Sequence, residues 1–166
     1  VTGVSTAASL DLIRQAKAEG LHISCSVTPY HLSFCDEDLQ EYDTNLKVNP
    51  PLRTRKDVEA LKLAVIDGTI DCIASHHLPH EYDSKVCAFE YAQYGMSGLE
   101  TCYAAVQTAI PSLAPAQIAR LFAINPAQIF GLPLPAIAPG ATAQLTLFFP
   151  NQPCTFTAGQ SKSIIN

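Results

Sequence analysis

The chain has 166 residues, of which 48% are hydrophobic and 15% charged, and this is enough for one globular core. No apolar run reaches about 18 residues, which excludes a membrane-spanning helix. The net charge of −5, without a Lys/Arg cluster, argues against nucleic acid and anionic membranes as partners. The six cysteines form no Cys-x-x-Cys pair, so we expect reduced thiols and a cytoplasmic location.

The first half of the chain alternates between helical and extended patterns. The predicted elements are, in order, a helix over residues 7–19, a strand over 21–27, a long polar loop over 30–53, a helix over 54–67 and a strand over 70–74. Ser5 and Thr6 can cap the first helix, and Thr54 with Asp57 resembles a capping box for the second. Alternation of this kind is typical of parallel βα units.

The second half is mainly helical. The pattern predicts a short irregular segment over residues 89–94, helices over 98–110, 116–123 and 125–131, a proline-rich connector over 132–140 and a last strand over 144–149. About two parallel strands cannot close an eight-stranded barrel, which needs about 250 residues. If these are barrel units, the chain is part of a larger barrel.

Three histidines follow the predicted strand over residues 70–74, namely His76, His77 and His80. In barrels and open α/β sheets, ligands and reacting groups collect at the C-terminal ends of the strands. These histidines are therefore candidates for a functional site. His77 is also interpreted as structural support of its loop, and His31 as a loop histidine satisfied by hydrogen bonds.

Several ordered motifs carry a resemblance to a known family. They are Val27-Thr28-Pro29-Tyr30-His31-Leu32, Lys47-Val48-Asn49-Pro50-Pro51-Leu52-Arg53, Asp67-Gly68-Thr69-Ile70-Asp71-Cys72-Ile73-Ala74, Pro79-His80, Gly95-Met96-Ser97-Gly98-Leu99-Glu100-Thr101 and Ser161-Lys162-Ser163. In this order they resemble the C-terminal half of dihydroorotase, of the type found in the multifunctional pyrimidine-synthesis complex.

The resemblance implies an α/β fold. It would comprise the C-terminal part of a (β/α)₈ amidohydrolase barrel (residues 1–131), followed by a connector and strands of a small flanking β-sandwich (132–166). It also implies one or two zinc ions and the interconversion of N-carbamoyl-aspartate and dihydroorotate. In that chemistry a metal-bound hydroxide attacks the ring amide and a carboxylate moves the proton.

The resemblance also assigns residues that bind substrate. Asn49 matches the family's substrate-binding asparagine, and His80 matches the histidine that holds the substrate carboxylate. Tyr94 and Gly95 match a backbone pair that contacts the ring, with Tyr94 in place of the usual Phe.

Two family positions differ in this chain. The family's catalytic aspartate, which also binds zinc, is replaced by His76, and a zinc-ligand histidine is replaced by Gly3, which has no side chain. The other family ligands would precede Val1. His76 can itself bind zinc, but a metal-bound imidazole has no lone pair left to accept a proton.

These differences leave three possibilities open. The chain belongs to a protein without ordinary dihydroorotase catalysis, or to an active enzyme with a rearranged or single-zinc site, or to a non-catalytic subunit that scaffolds aspartate transcarbamoylase. The predicted partners are a small-molecule substrate, the remainder of the chain's own barrel, further copies of the protein and, for the third possibility, that transcarbamoylase.

Overall fold

Two short parallel strands lie at the centre of the fold in a computed structural model, which describes residues 1–134, 136–147, 149 and 152–163. The strands are β1 (Ser26–Val27) and β2 (Cys72–Ile73). The helices are α1 (Ala7–Ala18), α2 (Pro29–Ser33), α3 (Arg55–Ile66), α4 (Cys102–Ala109), α5 (Pro115–Ala119) and α6 (Asn125–Ile129), with a π-helical segment (Arg120–Ile124) between the last two. Short 3₁₀ turns occupy Asp36–Leu39, Thr44–Leu46, Tyr82–Ser84 and Ala158–Gln160.

The strands pair in parallel, with Ser26 opposite Cys72 and Val27 opposite Ile73. Residues 1–4 extend this layer on the other side of β1, because Ser26 N donates to Val1 O (3.0 Å) and Val4 N donates to Ser26 O (3.0 Å). The layer therefore contains residues 1–4, β1 and β2 in chain order. This order confirms the prediction of parallel βα units.

Both strands are shorter than the predicted ones. Leu21 and Ile23 belong to the turn that ends α1, since Leu21 N donates to Ala16 O and Ile23 N to Leu21 O. Around β2, the amides of Asp71 and Ala74 still donate to carbonyls of the β1 segment. The predicted extents were too long because apolar residues at a helix end and in a strand look alike in sequence.

One hydrophobic core joins the strands to the helices. Leu10 and Ile13 come from α1, Leu61 and Val65 from α3, and Val27 from β1, and all are buried. A salt bridge between Lys17 at the end of α1 and Asp71 beside β2 (2.8 Å) reinforces this packing. The Asp71 carboxylate also accepts a hydrogen bond from Cys25 N (2.8 Å), so one half-buried ion pair connects a helix and both strands.

The predicted loop over residues 30–53 contains a helix that sequence reasoning missed. Thr28 caps α2, because its Oγ1 accepts a hydrogen bond from His31 N, and Pro29 occupies the first turn. The Thr28-Pro29 pair, which was interpreted only as the end of a strand, therefore also starts a helix. A helix of five residues is too short to show an apolar periodicity.

The second half also differs from the prediction. Helix α4 begins at Cys102 rather than at residue 98, because the amides of Gly98 and Leu99 donate to the His77 ring instead of joining a helical turn. The two helices predicted over 116–123 and 125–131 form one continuous helical run. The π-helical segment just before Pro126 accommodates the residue that lacks an amide hydrogen.

The strand predicted over residues 144–149 is wrong for residues 144–147 and 149, which adopt no regular structure and are exposed; Phe148 lies outside the described residues. A strand needs a hydrogen-bonded neighbour, and the described part of the chain gives this segment none. The division of the chain into barrel units (residues 1–131) and a connector with sandwich strands (132–166) stays a prediction. Among the described residues, no helix has the length and apolar character required to cross a membrane.

Gly3 adopts a left-handed backbone conformation, with φ of 68°, and is buried. A Cβ atom added there would lie 3.1 Å from Pro50 Cδ. Pro50 is held in turn by His31, whose Nε2 donates to Pro50 O (3.0 Å). Any side chain at position 3 therefore meets both an unfavourable backbone and a fixed proline ring.

We expect Gly3→Ala to lower the free energy of unfolding by about 2 kcal/mol, from left-handed strain and the Pro50 contact together. Gly20→Ala is the matched control, because Gly20 has φ of 80° but nothing within 4 Å of the added Cβ. The control should lose about 1 kcal/mol. Urea unfolding of the intact protein measures both values, and equal losses would show that Pro50 moves aside freely.

His31 should make stability depend on pH. The ring is 1% exposed, and burial lowers its pKa from the ordinary 6.5. The unfolded chain then binds more protons than the folded chain, so the stabilisation is complete above about pH 6.5 and is lost as the pH falls through the lowered pKa. Urea unfolding between pH 7.5 and 5 should show a shallower decline for His31→Gln. The control His22→Gln replaces an exposed histidine and should keep the pH dependence of the unmodified protein. If His31→Gln and His22→Gln lose stability equally between pH 7.5 and 5, the expectation is contradicted.

Candidate functional site

His76 lies just beyond β2, where its ring meets a tyrosine from α2. The Tyr30 hydroxyl and His76 Nδ1 are 2.7 Å apart, and burial raises the pKa of Tyr30, so this phenol stays protonated at neutral pH. One ring nitrogen of His76 is therefore engaged by the protein, whereas the other, Nε2, makes no hydrogen bond within the described part of the chain. If the hydroxyl donates to Nδ1, the proton of the neutral ring sits on Nε2; if Nδ1 donates, Nε2 has a lone pair.

The backbone of His76 is left-handed, with φ of 46°. Such a conformation is uncommon outside glycine, although Asn, Asp and His adopt it more often than other residues. His76 lies three positions after the end of β2, between Ser75 and His77. This is the position where the resemblance expects the family's aspartate.

His77 supports the neighbouring loop. Its Nδ1 accepts hydrogen bonds from Gly98 N (3.2 Å) and Leu99 N (3.3 Å), which places the ring proton on Nε2. That nitrogen faces Ser163 Oγ at 3.4 Å. These contacts confirm the interpretation of His77 as structural support. His31 is likewise confirmed as a satisfied histidine, since Nδ1 contacts Thr28 Oγ1 (2.8 Å) and Nε2 donates to Pro50 O.

His80 and Tyr94 are in direct contact. His80 Nε2 donates to Tyr94 O (2.8 Å), and the donor is certain because a carbonyl oxygen carries no hydrogen. The backbone of Gly95 is engaged as well: its amide donates to Lys47 O (2.9 Å) and its carbonyl accepts from Lys85 Nζ (2.6 Å). The structure thus brings together three of the four predicted substrate-binding residues.

Gly95 is packed too tightly for any other residue. Its φ is 138°, and an added Cβ would lie 2.8 Å from the carbonyl oxygen of Leu78. Met96 O accepts from Leu78 N (3.0 Å) and Met96 pairs with His77 as a parallel bridge, which draws residues 95–96 against the chain that leaves β2. A glycine is required here because two backbone segments are in contact.

Asn49, the fourth predicted substrate-binding residue, stands apart. It is exposed, precedes a cis peptide bond to Pro50, and makes no side-chain hydrogen bond to His76, His80, Tyr94 or Gly95 in the described part of the chain. Its neighbour Val48 is buried, which anchors the backbone beneath it.

The candidate residues line two different cavities. His80 and Gly95 line one of about 390 Å³, together with Lys85 and Asp43. His76 lines another of about 710 Å³, which lies along residues 24–26 and 72–75. Within the described residues, the predicted binding groups and the predicted catalytic position therefore face separate spaces.

The described residues do not form a zinc site. They contain no group of three His, Cys, Asp or Glu side chains able to hold a metal ion. Gly3 offers no ligand, and a ring nitrogen of each of His31, His77 and His80 is used within the protein. The thiols nearby are poor ligands too, because burial raises the pKa of Cys25 to about 11 and also raises that of Cys72.

Sequence reasoning missed Tyr30, Lys47 and Lys85, which contact the candidate residues directly. The only sequence signal was that Tyr30 and Lys47 lie within the motifs of the resemblance. The partners of Tyr30 and Lys47 are 42 to 48 residues away along the chain, a separation at which no local pattern reports a contact. Lys85 contacts Gly95, 10 residues away, within a loop that has no periodic pattern.

Known proteins that are similar to this chain in sequence include dihydroorotases. No family model matches the chain. A dihydroorotase of Caldanaerobacter subterraneus is 42% identical over 166 residues, covering 98% of this chain and 38% of the relative. A dihydroorotase of Lactiplantibacillus plantarum is 42% identical over 151 residues, covering 89% of this chain and 35% of the relative. The chain thus spans little more than a third of the length of these relatives.

Solved structures that resemble this chain include a hydantoinase and a dihydroorotase. The L-hydantoinase (dihydropyrimidinase) of Arthrobacter aurescens aligns with a TM-score of 0.73 at 27% identity, over 79% of this chain and 30% of its own. The dihydroorotase of Saccharomyces cerevisiae, solved with 5-fluoroorotic acid, aligns with a TM-score of 0.70 at 15% identity, over 80% of this chain and 38% of its own, which shows a shared fold. By its sequence the chain belongs to the dihydroorotase family of the amidohydrolase superfamily.

Proposed function

We propose that this chain supplies the C-terminal βα units of the (β/α)₈ barrel of a dihydroorotase-like cyclic amidohydrolase of pyrimidine synthesis. The support is 42% identity over 98% of the chain to a dihydroorotase, together with the parallel pairing of β1 with β2 and the hydrogen bonds that join residues 1–4 to β1. The remainder of the barrel would come from the part of the protein that these residues do not include.

The proposed ligand is dihydroorotate or N-carbamoyl-aspartate, both of which carry carboxylate and amide groups. His80 offers an Nε2–H donor that is at present satisfied by Tyr94 O at 2.8 Å. A substrate carboxylate is a stronger acceptor than a carbonyl, so it can replace Tyr94 O as the partner of that donor. The exchange would free the Tyr94 carbonyl for the amide N–H of the same ligand.

We further propose that ordinary dihydroorotase chemistry is impaired, with zinc lost or reduced to one ion. The observation that carries this is the arrangement at His76: a left-handed residue whose Nδ1 is engaged by Tyr30 at 2.7 Å, where the family has aspartate. A carboxylate can bind a metal with one oxygen and accept a proton with the other, whereas the imidazole of His76 has a single nitrogen left. Gly3 removes a second ligand position, and Pro50 fills the space beside it.

His76→Asp should therefore raise activity. Aspartate tolerates the left-handed backbone at this position, so the variant should fold, and general acid–base catalysis is typically worth roughly 100-fold or more. The measurement is dihydroorotate formation from N-carbamoyl-aspartate by the intact protein with added zinc. His76→Asn, which fits the same backbone without a carboxylate, is the matched control and should show no gain.

Substantial turnover by the unmodified protein would contradict the impairment and favour an active enzyme with a rearranged site. Adding Gly3→His to restore the second ligand is a poor test, because the backbone and Pro50 oppose any side chain there. Absence of turnover in both the unmodified protein and His76→Asp would favour the alternative, a non-catalytic subunit that scaffolds aspartate transcarbamoylase. Co-purification of the two proteins measures that alternative.

Binding tests the ligand separately from the chemistry. His80→Ala should weaken the affinity of the intact protein for dihydroorotate by about tenfold or more, because it removes a hydrogen bond to a charged group. His22→Ala is the control, since His22 is exposed and lies outside the candidate site. Isothermal titration calorimetry gives both affinities, and equal values for His80→Ala and His22→Ala would rule out His80 as a binding residue.

A further inference from the structure

The ammonium groups of two lysines donate hydrogen bonds to backbone carbonyls rather than to carboxylates. Lys47 precedes Asn49 in the chain, and Lys85 lies in the loop over residues 81–96, here called the site loop. The described residues place no Asp or Glu within salt-bridge distance of either ammonium group. We call the pair the lysine clasp.

Lys85 gathers three carbonyl groups from two segments. Its Nζ donates to Gly95 O (2.6 Å), Gln93 O (2.8 Å) and Thr44 O (3.0 Å). An ammonium group has three N–H donors, so every one of them has a partner. Thr44 Oγ1 donates back to Lys85 O at 2.6 Å, which fixes the backbone of the lysine itself.

Lys47 also binds backbone carbonyls of the site loop. It is only 8% exposed, and its Nζ donates to Phe89 O (2.7 Å) and Glu90 O (2.9 Å). The ammonium lies 4.8 Å from the centre of the Tyr94 ring and 5.4 Å from that of Phe89, both within the range of cation–π attraction. The Lys47 carbonyl accepts from Gly95 N at 2.9 Å.

The site loop contains little regular structure. It has one 3₁₀ turn over Tyr82–Ser84 and a few backbone hydrogen bonds of its own, such as Gln93 N to Ser84 O (3.1 Å). Ala92 is buried, but Tyr82, Val86 and Tyr91 are exposed. Ordering such a segment costs backbone entropy that hydrophobic burial usually offsets. Here five hydrogen bonds from two ammonium groups offset part of that cost, and two of them fall on Gln93 and Gly95, the neighbours of Tyr94.

We propose that Lys85 and Lys47 are positioning residues that fix the Tyr94–Gly95 backbone in the orientation that a cyclic amide ligand requires. Lys85 holds the Gly95 carbonyl, and Lys47 holds the Tyr94 ring and, through its own carbonyl, the Gly95 amide. The clasp also keeps Tyr94 O within reach of His80. The inference rests on the proposed function, because the ligand is the one proposed there.

Lys85→Met in the intact protein tests the inference. Methionine keeps most of the side-chain length and apolar stem but has no donor. Lys56→Met is the matched control, since Lys56 is exposed on α3 and its side chain makes no hydrogen bond or salt bridge within the described residues. Three quantities are measured: dihydroorotate affinity by calorimetry, the midpoint of thermal unfolding, and amide hydrogen exchange of peptides covering residues 86–96.

We expect Lys85→Met to bind dihydroorotate about tenfold more weakly and to exchange faster over residues 86–96, with an unfolding midpoint within a few degrees of Lys56→Met. Lys85→Arg, which keeps the charge and several donors, should recover part of the affinity. A purely structural lysine would lower the midpoint without this selective loss and rescue.

Each of the other possible results would contradict one step of the inference. Unchanged affinity with faster exchange would overturn the positioning role, because a mobile loop would then bind as well as a fixed one. Unchanged exchange would show that Lys85 does not hold the loop. If the unmodified protein itself fails to bind dihydroorotate, the proposed function fails and the ligand named in the inference falls with it, while the exchange data still decide whether the clasp orders the loop.

Discussion

The parallel register of β1 and β2 decides where the candidate residues lie. With Ser26 opposite Cys72, the chains that leave the two strands emerge side by side at one edge. Tyr30 and His76 each lie four residues beyond their member of this pair, and their side chains meet at 2.7 Å. A shift of the register by one residue would separate this pair and reverse the faces to which the strand side chains point. The half-buried Lys17–Asp71 ion pair opposes such a shift, because Asp71 also accepts from Cys25 N.

The loops beyond this edge are held by side chains that bind backbone groups. His31 donates to the Pro50 carbonyl, His77 accepts from two amides, His80 donates to Tyr94 O, and the two clasp lysines bind five carbonyls. Long loops in a compact domain leave polar backbone groups that must find partners. The histidines and lysines supply them, and this explains why so few of these groups are left to bind a metal ion.

The two positions that depart from the family motif differ in how they could be reversed. At His76 the left-handed backbone accepts aspartate, so one substitution restores the family residue. At Gly3 the backbone is also left-handed, but Pro50 lies 3.1 Å from the place of a Cβ and His31 holds Pro50 through its carbonyl. The packing at position 3 thus opposes any side chain there, and this supports the proposal that the metal chemistry is impaired.

The sequence by itself determined the features whose signals are local. Thr6 and Thr54 cap α1 and α3 as predicted, because a cap needs only an acceptor and an amide three residues later. The alternation of these helices with apolar segments predicted the parallel order, and the ordered motifs identified the family. The same local logic failed for α2, for the first turn predicted for α4, and for the strand predicted over residues 144–149, whose described residues have no neighbouring strand.

Only the tertiary structure decided what depends on partners far apart in the chain. His77 accepts hydrogen bonds from the amides of Gly98 and Leu99, so α4 begins only at Cys102. Lys47 and Lys85 bind carbonyls up to 43 residues away. His76 and His80 face different cavities although they are only four positions apart. Hydrogen bonds of this kind join residues far apart in the chain, so they depend on the tertiary structure. For that reason the residue types identified the family, while the folded chain determined which of those residues have groups left to bind a ligand.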